Sequence, residues 1–254
     1  MIANAIAEWL KLRHRWDALI GLAVFGLIPS ILIISMRYGK GVTFSGLTTP
    51  ISLAISTLAM ILATLIGPIL VAIVAAGSLA RERETGELSL VLLQPHRRSA
   101  VLLGKYVALC AYATLALLVC LGSGALVGAL LFGTEGPGLT SNNMGFHTFE
   151  DLLWAGTLGE LGLMALIAIV LLLATRFNFG ATLVLTFGLL VGMDLASRFE
   201  QWQPYLLTHI WNIGNFAITS SHSSLLQAVW ILLLYIGGGC GVAVLLFKRR
   251  DVLP

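Results

Sequence analysis

The sequence predicts an all-α polytopic membrane protein with six transmembrane helices, an N-terminal interfacial amphipathic helix, and a charged cytoplasmic loop between spans 2 and 3. Two observations carry the membrane assignment. Hydrophobic residues make up 58% of the chain and charged residues only 11%, less than half of the roughly 25% charge of a soluble domain. Mean hydropathy is +0.94, and the apolar residues fall in long runs that approach or exceed the ~20 residues a bilayer-crossing helix needs. A third observation sets the organisation: the densest run of charge, RERETGELSLVLLQPHRRSAVLLGK over 81–105, lies between two such runs. Its charges would each cost about 2.5–3.5 kcal/mol in the middle of a bilayer, so the segment belongs in water.

Composition also narrows the function classes. The formal net charge is +3, and the basic residues are distributed between spans instead of on one face, so they read as topological charge and not as a nucleic-acid footprint. Cys110, Cys120 and Cys240 sit inside apolar runs without CxxC spacing, which reads as small buried thiols. No metal centre is read from the chain: His147, His209 and His222 are far apart in sequence.

Taken in order, residues 1–17 form the interfacial helix. Ile2, Ile6, Trp9, Leu10 and Trp16 fall near one face at helical spacing, and Glu8, Lys11, Arg13 and Arg15 occupy the rest, a pattern suited to the headgroup layer. No small-residue cleavage site follows, so the segment is expected to be retained rather than removed as a signal peptide. The spans are expected at 18–35, 51–80, 101–132, 152–175, 181–196 and 227–247, within a single transmembrane domain over 1–254. Span 1 carries Pro29, span 2 carries Gly67-Pro68, and both span 2 and span 3 exceed a bilayer's needs. Residues 81–100 form the charged loop. In 197–226, Trp202, Tyr205, Trp211 and Phe216 alternate with polar residues, which suggests short helices at the membrane–water boundary.

Orientation follows from Lys and Arg. With six spans and both ends on one side, that side holds Lys11, Arg13, Arg15, Arg81, Arg83, Arg97, Arg98, Lys105, Arg176, Lys248, Arg249 and Arg250, twelve of the fifteen basic residues. The positive-inside rule makes it the cytoplasmic side.

The charged stretch also carries a resemblance. Glu82, then Gly86-Glu87-Leu88, Leu92-Leu93, Pro95, Arg98 and Gly104-Lys105 resembles the first cytoplasmic loop of ABC-2 type exporter permeases, and the terminal Phe247-Lys248-Arg249-Arg250-Asp251 resembles that family's basic ending. Glu87 stands where the family usually has Thr. The resemblance implies a permease subunit without its own ATPase in a bacterial or archaeal cytoplasmic membrane. It implies two copies of an ATP-binding subunit that supplies ATP and Mg, and a second copy of this chain or a homologous permease; membrane lipid is a further partner. It assigns ATPase coupling to Glu82, Glu84, Gly86, Glu87, Leu88, Pro95 and Arg98, on a coupling helix that docks in a groove of the ATPase. Glu82, Glu84 and Glu87 are expected to meet basic residues there. The residues agree on the missing ATPase: a phosphate-cradling loop needs GxxxxGK[ST], and Gly104-Lys105-Tyr106 lacks the upstream glycine and the hydroxyl.

Two carboxylates inside spans are candidates for a substrate path, because ionisable groups in membrane segments are functional candidates by default: Glu160 in span 4 and Asp194 in span 5. Glu160 lies only about 13–14 Å of helix from Asp151, and Asp194 is close to Arg198, so both are also read as structural pairs or exposed groups near the outer boundary. No catalytic motif is present. The function expected is ATP-driven export of a hydrophobic or lipid-linked substrate. The alternatives are an ion-coupled carrier using Glu160 and Asp194, and a non-transporting scaffold for a cytoplasmic ATPase.

Overall fold

The computed structural model describes residues 2–38, 50–86, 98–132, 149–211 and 222–249. Among the described residues there is no strand. α1 (Ile2–Arg13) turns at His14-Arg15 into α2 (Trp16–Tyr38). α3 (Pro50–Ala63) is followed by α4 (Ile66–Ala76), which runs through a π-helical turn at Gly77–Arg81 into a last α turn at Glu82–Glu84. α5 (Arg98–Phe132) and α6 (Phe149–Ala174) are long helices, and α7 (Phe179–Ala196) follows α6 after a short turn. A 3-10 turn (Gln203–Tyr205) leads into the short α8 (Leu207–Trp211), and α9 (His222–Arg249) completes the bundle.

Among the described residues, five helices are long and apolar enough to cross a membrane, or six if α3 and the following helix form one broken span. That pair is where the structure departs from the continuous span expected over 51–80: the two halves meet at 61°. The cause is local. A straight helix through this point would drive the Pro68 ring against the Thr64 carbonyl four residues back. Instead Leu65 takes a left-handed conformation, φ 61°, and the Thr64 hydroxyl donates to the Met60 carbonyl at 2.8 Å. The proline then falls in the first turn of α4, where a missing N–H is tolerated. By contrast, Pro29 lies inside α2 without ending it.

α6 is the axis of the fold. It packs against α9, α5, α4 and α7, and α5 in turn packs against α1, α2 and α3. Of its apolar window 61% is buried, against 17% for α7 and 11% for α9, so those two helices turn most of their side chains away from the bundle. Leu158, Ala165, Leu166 and Val170 form the inward face of α6. α1 buries Leu12 and leaves Ile6 and Leu10 exposed, as a helix lying on an apolar surface should.

The aromatic region divides. Trp202 and Tyr205 are exposed, as belt residues would be, but Trp211 is fully buried. The pyrrole side of its indole lies against Gly162 of α6, and a Cβ there would overlap the ring. Only glycine permits this contact. Phe216 lies outside the described residues. Because the indole has no free space to move into, Gly162→Ala is expected to destabilise the protein by about 1–3 kcal/mol. The check is the thermal unfolding midpoint in detergent, with Gly162→Ala/Trp211→Leu recovering most of the loss.

Candidate functional site

The site is built on the four residues that end the α4 segment, Arg81-Glu82-Arg83-Glu84. The π turn before them inserts an extra residue, a feature often found at functional positions. Successive residues on a helix leave its axis about 100° apart, so these four side chains point round the full circle. Together they engage α2, α5 and the turn between α6 and α7.

Arg81 donates from Nη1 to Asp17 Oδ2 at 3.1 Å, at the start of α2, and its guanidinium stacks 4.5 Å from the centroid of Phe179, the first residue of α7. Asp17 Oδ2 also accepts from Arg15 Nη2 at 3.1 Å. Glu82 turns inward. Its Oε2 accepts from Lys105 Nζ at 2.7 Å, and the same ammonium donates to Glu8 Oε2 of α1 at 2.8 Å. The Lys105 side chain is 1% exposed and each carboxylate 11%. Lys11 lies 3.7 Å from the other oxygen of Glu8, so two ammonium groups balance two carboxylates. This balance allows the cluster to sit under protein, since an unpaired buried ion would cost several kcal/mol.

Arg83 and Glu84 grip the turn between α6 and α7. Arg83 Nη1 donates to the carbonyls of Ala174 at 3.3 Å and Thr175 at 2.9 Å, and Nη2 donates to the Phe177 carbonyl at 2.8 Å and Asn178 Oδ1 at 3.4 Å. A cation there satisfies carbonyls that the helix end leaves without intrahelical partners and opposes the negative end of its dipole. Glu84 Oε1 accepts from the Phe179 N–H at 2.8 Å. Asn178, at the cap position of α7, makes no side-chain cap bond, so a carboxylate from a distant helix caps α7 in its place. Gly86, with φ 79°, ends the helix.

The sequence reading offers Glu82 and Glu84 to a partner's basic residues, whereas the structure commits both inside the chain. The reason is that the helix does not stop where hydropathy does: residues 81–84 continue α4 to the bundle end, where Glu82 is buried and the still exposed Arg81 and Glu84 reach neighbouring helices. Glu87, Leu88 and Pro95 lie outside the described residues, and Arg98 opens α5 with its side chain outside them. Lys105 and Glu8 were legible only as topological and amphipathic charge. A lysine buried in a helix as apolar as α5 requires a counter-ion, which is a usable signal, but the sequence does not say where that counter-ion is.

The membrane carboxylates are not joined. Asp194 is exposed near the end of α7. Glu160 is half-buried about 10 Å of helix inside the apolar window that starts at Leu153. Its Oε1 lies 2.7 Å from the Thr114 hydroxyl of α5, and its buried Oε2 has no hydrogen-bond partner. Among the described residues no group of three His, Cys, Asp or Glu is placed to hold a metal ion.

Removing the shared cation tests the buried cluster. Lys105→Met leaves Glu8 and Glu82 facing each other under protein and is expected to cost about 3–5 kcal/mol. Replacing all three, with Glu8→Gln and Glu82→Gln added, is expected to recover most of that loss, read as the unfolding midpoint in detergent.

The sequence profile of the ABC-2 family transporter proteins matches residues 6–192, from α1 into α7, which includes all four residues Arg81–Glu84. No curated protein matches the chain.

Proposed function

Because the chain belongs to the ABC-2 transporter family, we propose that it couples ATP hydrolysis on a separate, paired ATP-binding subunit to export of a hydrophobic or lipid-linked substrate. The observation that carries the coupling step is the engagement of Arg81–Glu84 with α2, α5 and the α6–α7 turn, extended to α1 through Lys105. A force delivered to the chain just beyond Gly86 enters the bundle through this one helical turn. It would reach the cytoplasmic ends of the surrounding spans together, through charge-assisted bonds that yield little. The docking residues on this reading are Glu87, Leu88, Pro95 and Arg98. Glu82, Glu84 and Gly86 transmit force instead of touching the ATPase. ATP and Mg belong to the partner, and this chain supplies no phosphate loop. A second copy or a homologous permease completes the pathway. Open apolar clefts of about 350 Å³ between α1 and α5 and about 290 Å³ between α4 and α7 support an apolar cargo.

A second reading is ion-coupled carriage through Glu160, favoured by its partnerless Oε2 inside the apolar window. It requires transport by the isolated chain, and loss of that transport in Glu160→Gln.

The coupling reading separates docking from transmission. With the neighbouring ATPase co-reconstituted in proteoliposomes, Leu88→Asp/Pro95→Ala is expected to lose ATPase binding in a pull-down. Arg83→Gln is expected to keep binding while permease-dependent change in ATP turnover falls at least about fivefold, the lower end of a usual coupling free energy. Equal turnover in Arg83→Gln and wild type would remove the transmission role, and absence of any ATPase binding by wild type would remove the exporter reading.

A further inference from the structure

An open cleft of about 580 Å³ separates the turn between α1 and α2 from the π turn that follows α4. Its volume lies within the roughly 300–1,000 Å³ of small-ligand sites. The charged groups on its walls are Lys11, Arg15, Arg81, Asp17 and Glu82, with His14 beside them. Both carboxylates are already paired with cations of the chain. Glu82 is held by Lys105 behind the wall, and one oxygen of Asp17 receives both Arg15 and Arg81. Including the groups behind the wall, Lys11, Arg15, Arg81 and Lys105 face Glu8, Asp17 and Glu82, which leaves an excess of positive charge. Each guanidinium has N–H donors beyond the one given to Asp17. Gly77 keeps the space: a Cβ there would lie 2.5 Å from Arg15 Nη2 and push that side chain aside.

The depth of the cleft identifies its ligand. Trp16 lines it, is 78% exposed, and is the first residue of the apolar window Trp16–Ser35. An exposed tryptophan at such an edge marks the headgroup layer. The exposed Ile6 and Leu10 of α1 lie on the same surface helix that supplies Lys11. We propose that this cleft binds the phosphodiester of an anionic membrane lipid, with Lys11, Arg15 and Arg81 as its donors. The lipid would bridge α1 and the π turn from outside, as Lys105 bridges them from within. The assignment needs the chain to be in a membrane and is independent of any ATPase, so its failure and failure of the coupling reading are distinguishable.

The test is thermal unfolding of the full chain purified in a neutral maltoside detergent, titrated with phosphatidylglycerol, phosphatidylcholine or inorganic phosphate. Phosphatidylglycerol is expected to raise the midpoint well above the effect of phosphatidylcholine, and inorganic phosphate to leave it unchanged. Each cation removed is expected to weaken phosphatidylglycerol binding roughly fivefold, about 1 kcal/mol. Lys11→Gln gives one such step, and Lys11→Gln/Arg15→Gln gives both. If the double variant does not fold, the half-exposed Lys11 position still decides the outcome. Equal protection by the two lipids, or unchanged phosphatidylglycerol affinity in Lys11→Gln, would overturn the proposal. Protection by inorganic phosphate without protection by the lipid would overturn the lipid assignment in favour of a soluble phosphate.

Discussion

On a helix, four successive side chains cannot share a face. Arg-Glu-Arg-Glu at the bundle end therefore reaches several neighbours at once, and the buried Glu82 obliges its surroundings to supply a cation. Much of the architecture at this end of the bundle meets that demand. Asp17 opens α2 where Arg81 arrives, Lys105 faces Glu82, bare carbonyls at the end of α6 meet Arg83, and an uncapped N–H at the start of α7 meets Glu84. The alternation of sign is what makes the arrangement affordable, because each charge has an opposite charge or dipole within hydrogen-bond reach.

The same logic explains why the bundle can be loose elsewhere. α7 and α9 bury little of their apolar windows, and the α3–α4 span is broken at Leu65. In a bilayer such surfaces can face lipid, so helix association rests on close packing and interhelical hydrogen bonds without a hydrophobic drive between helices. Directional polar contacts at the helix ends carry more of that task. The Tyr112 hydroxyl donating to the Ala18 carbonyl at 3.2 Å does the same between α5 and α2.

Much of this fold is legible in the sequence because membrane helices announce themselves by hydropathy alone. Spans at 18–35, 101–132, 152–175 and 181–196 correspond within a few residues to α2, α5, α6 and α7. The sequence reading noted Gly67-Pro68 in span 2 but expected one over-long span, and the break was not foreseen, since it depends on a left-handed leucine that no sequence rule favours. Trp211 shows a different limit. An aromatic among polar neighbours reads the same whether it faces headgroups or a glycine on a neighbouring helix, and only the opposing Gly162 decides. Of the site, the charged stretch was visible and its partners were not: Glu8 and Lys105 lie 97 residues apart, and nothing local in either predicts the other.

The grip of Arg83 on the α6–α7 turn also has a meaning in time. Arg83 is made 91 residues before Ala174 and 94 before Phe177. During synthesis these bonds therefore cannot form until the later hairpin has been made. An inverted hairpin would present its opposite end, and Arg83 and Glu84 would find neither carbonyls nor an amide. The clasp is thus a late contact: it ties the end of the α4 segment to a hairpin made long after it.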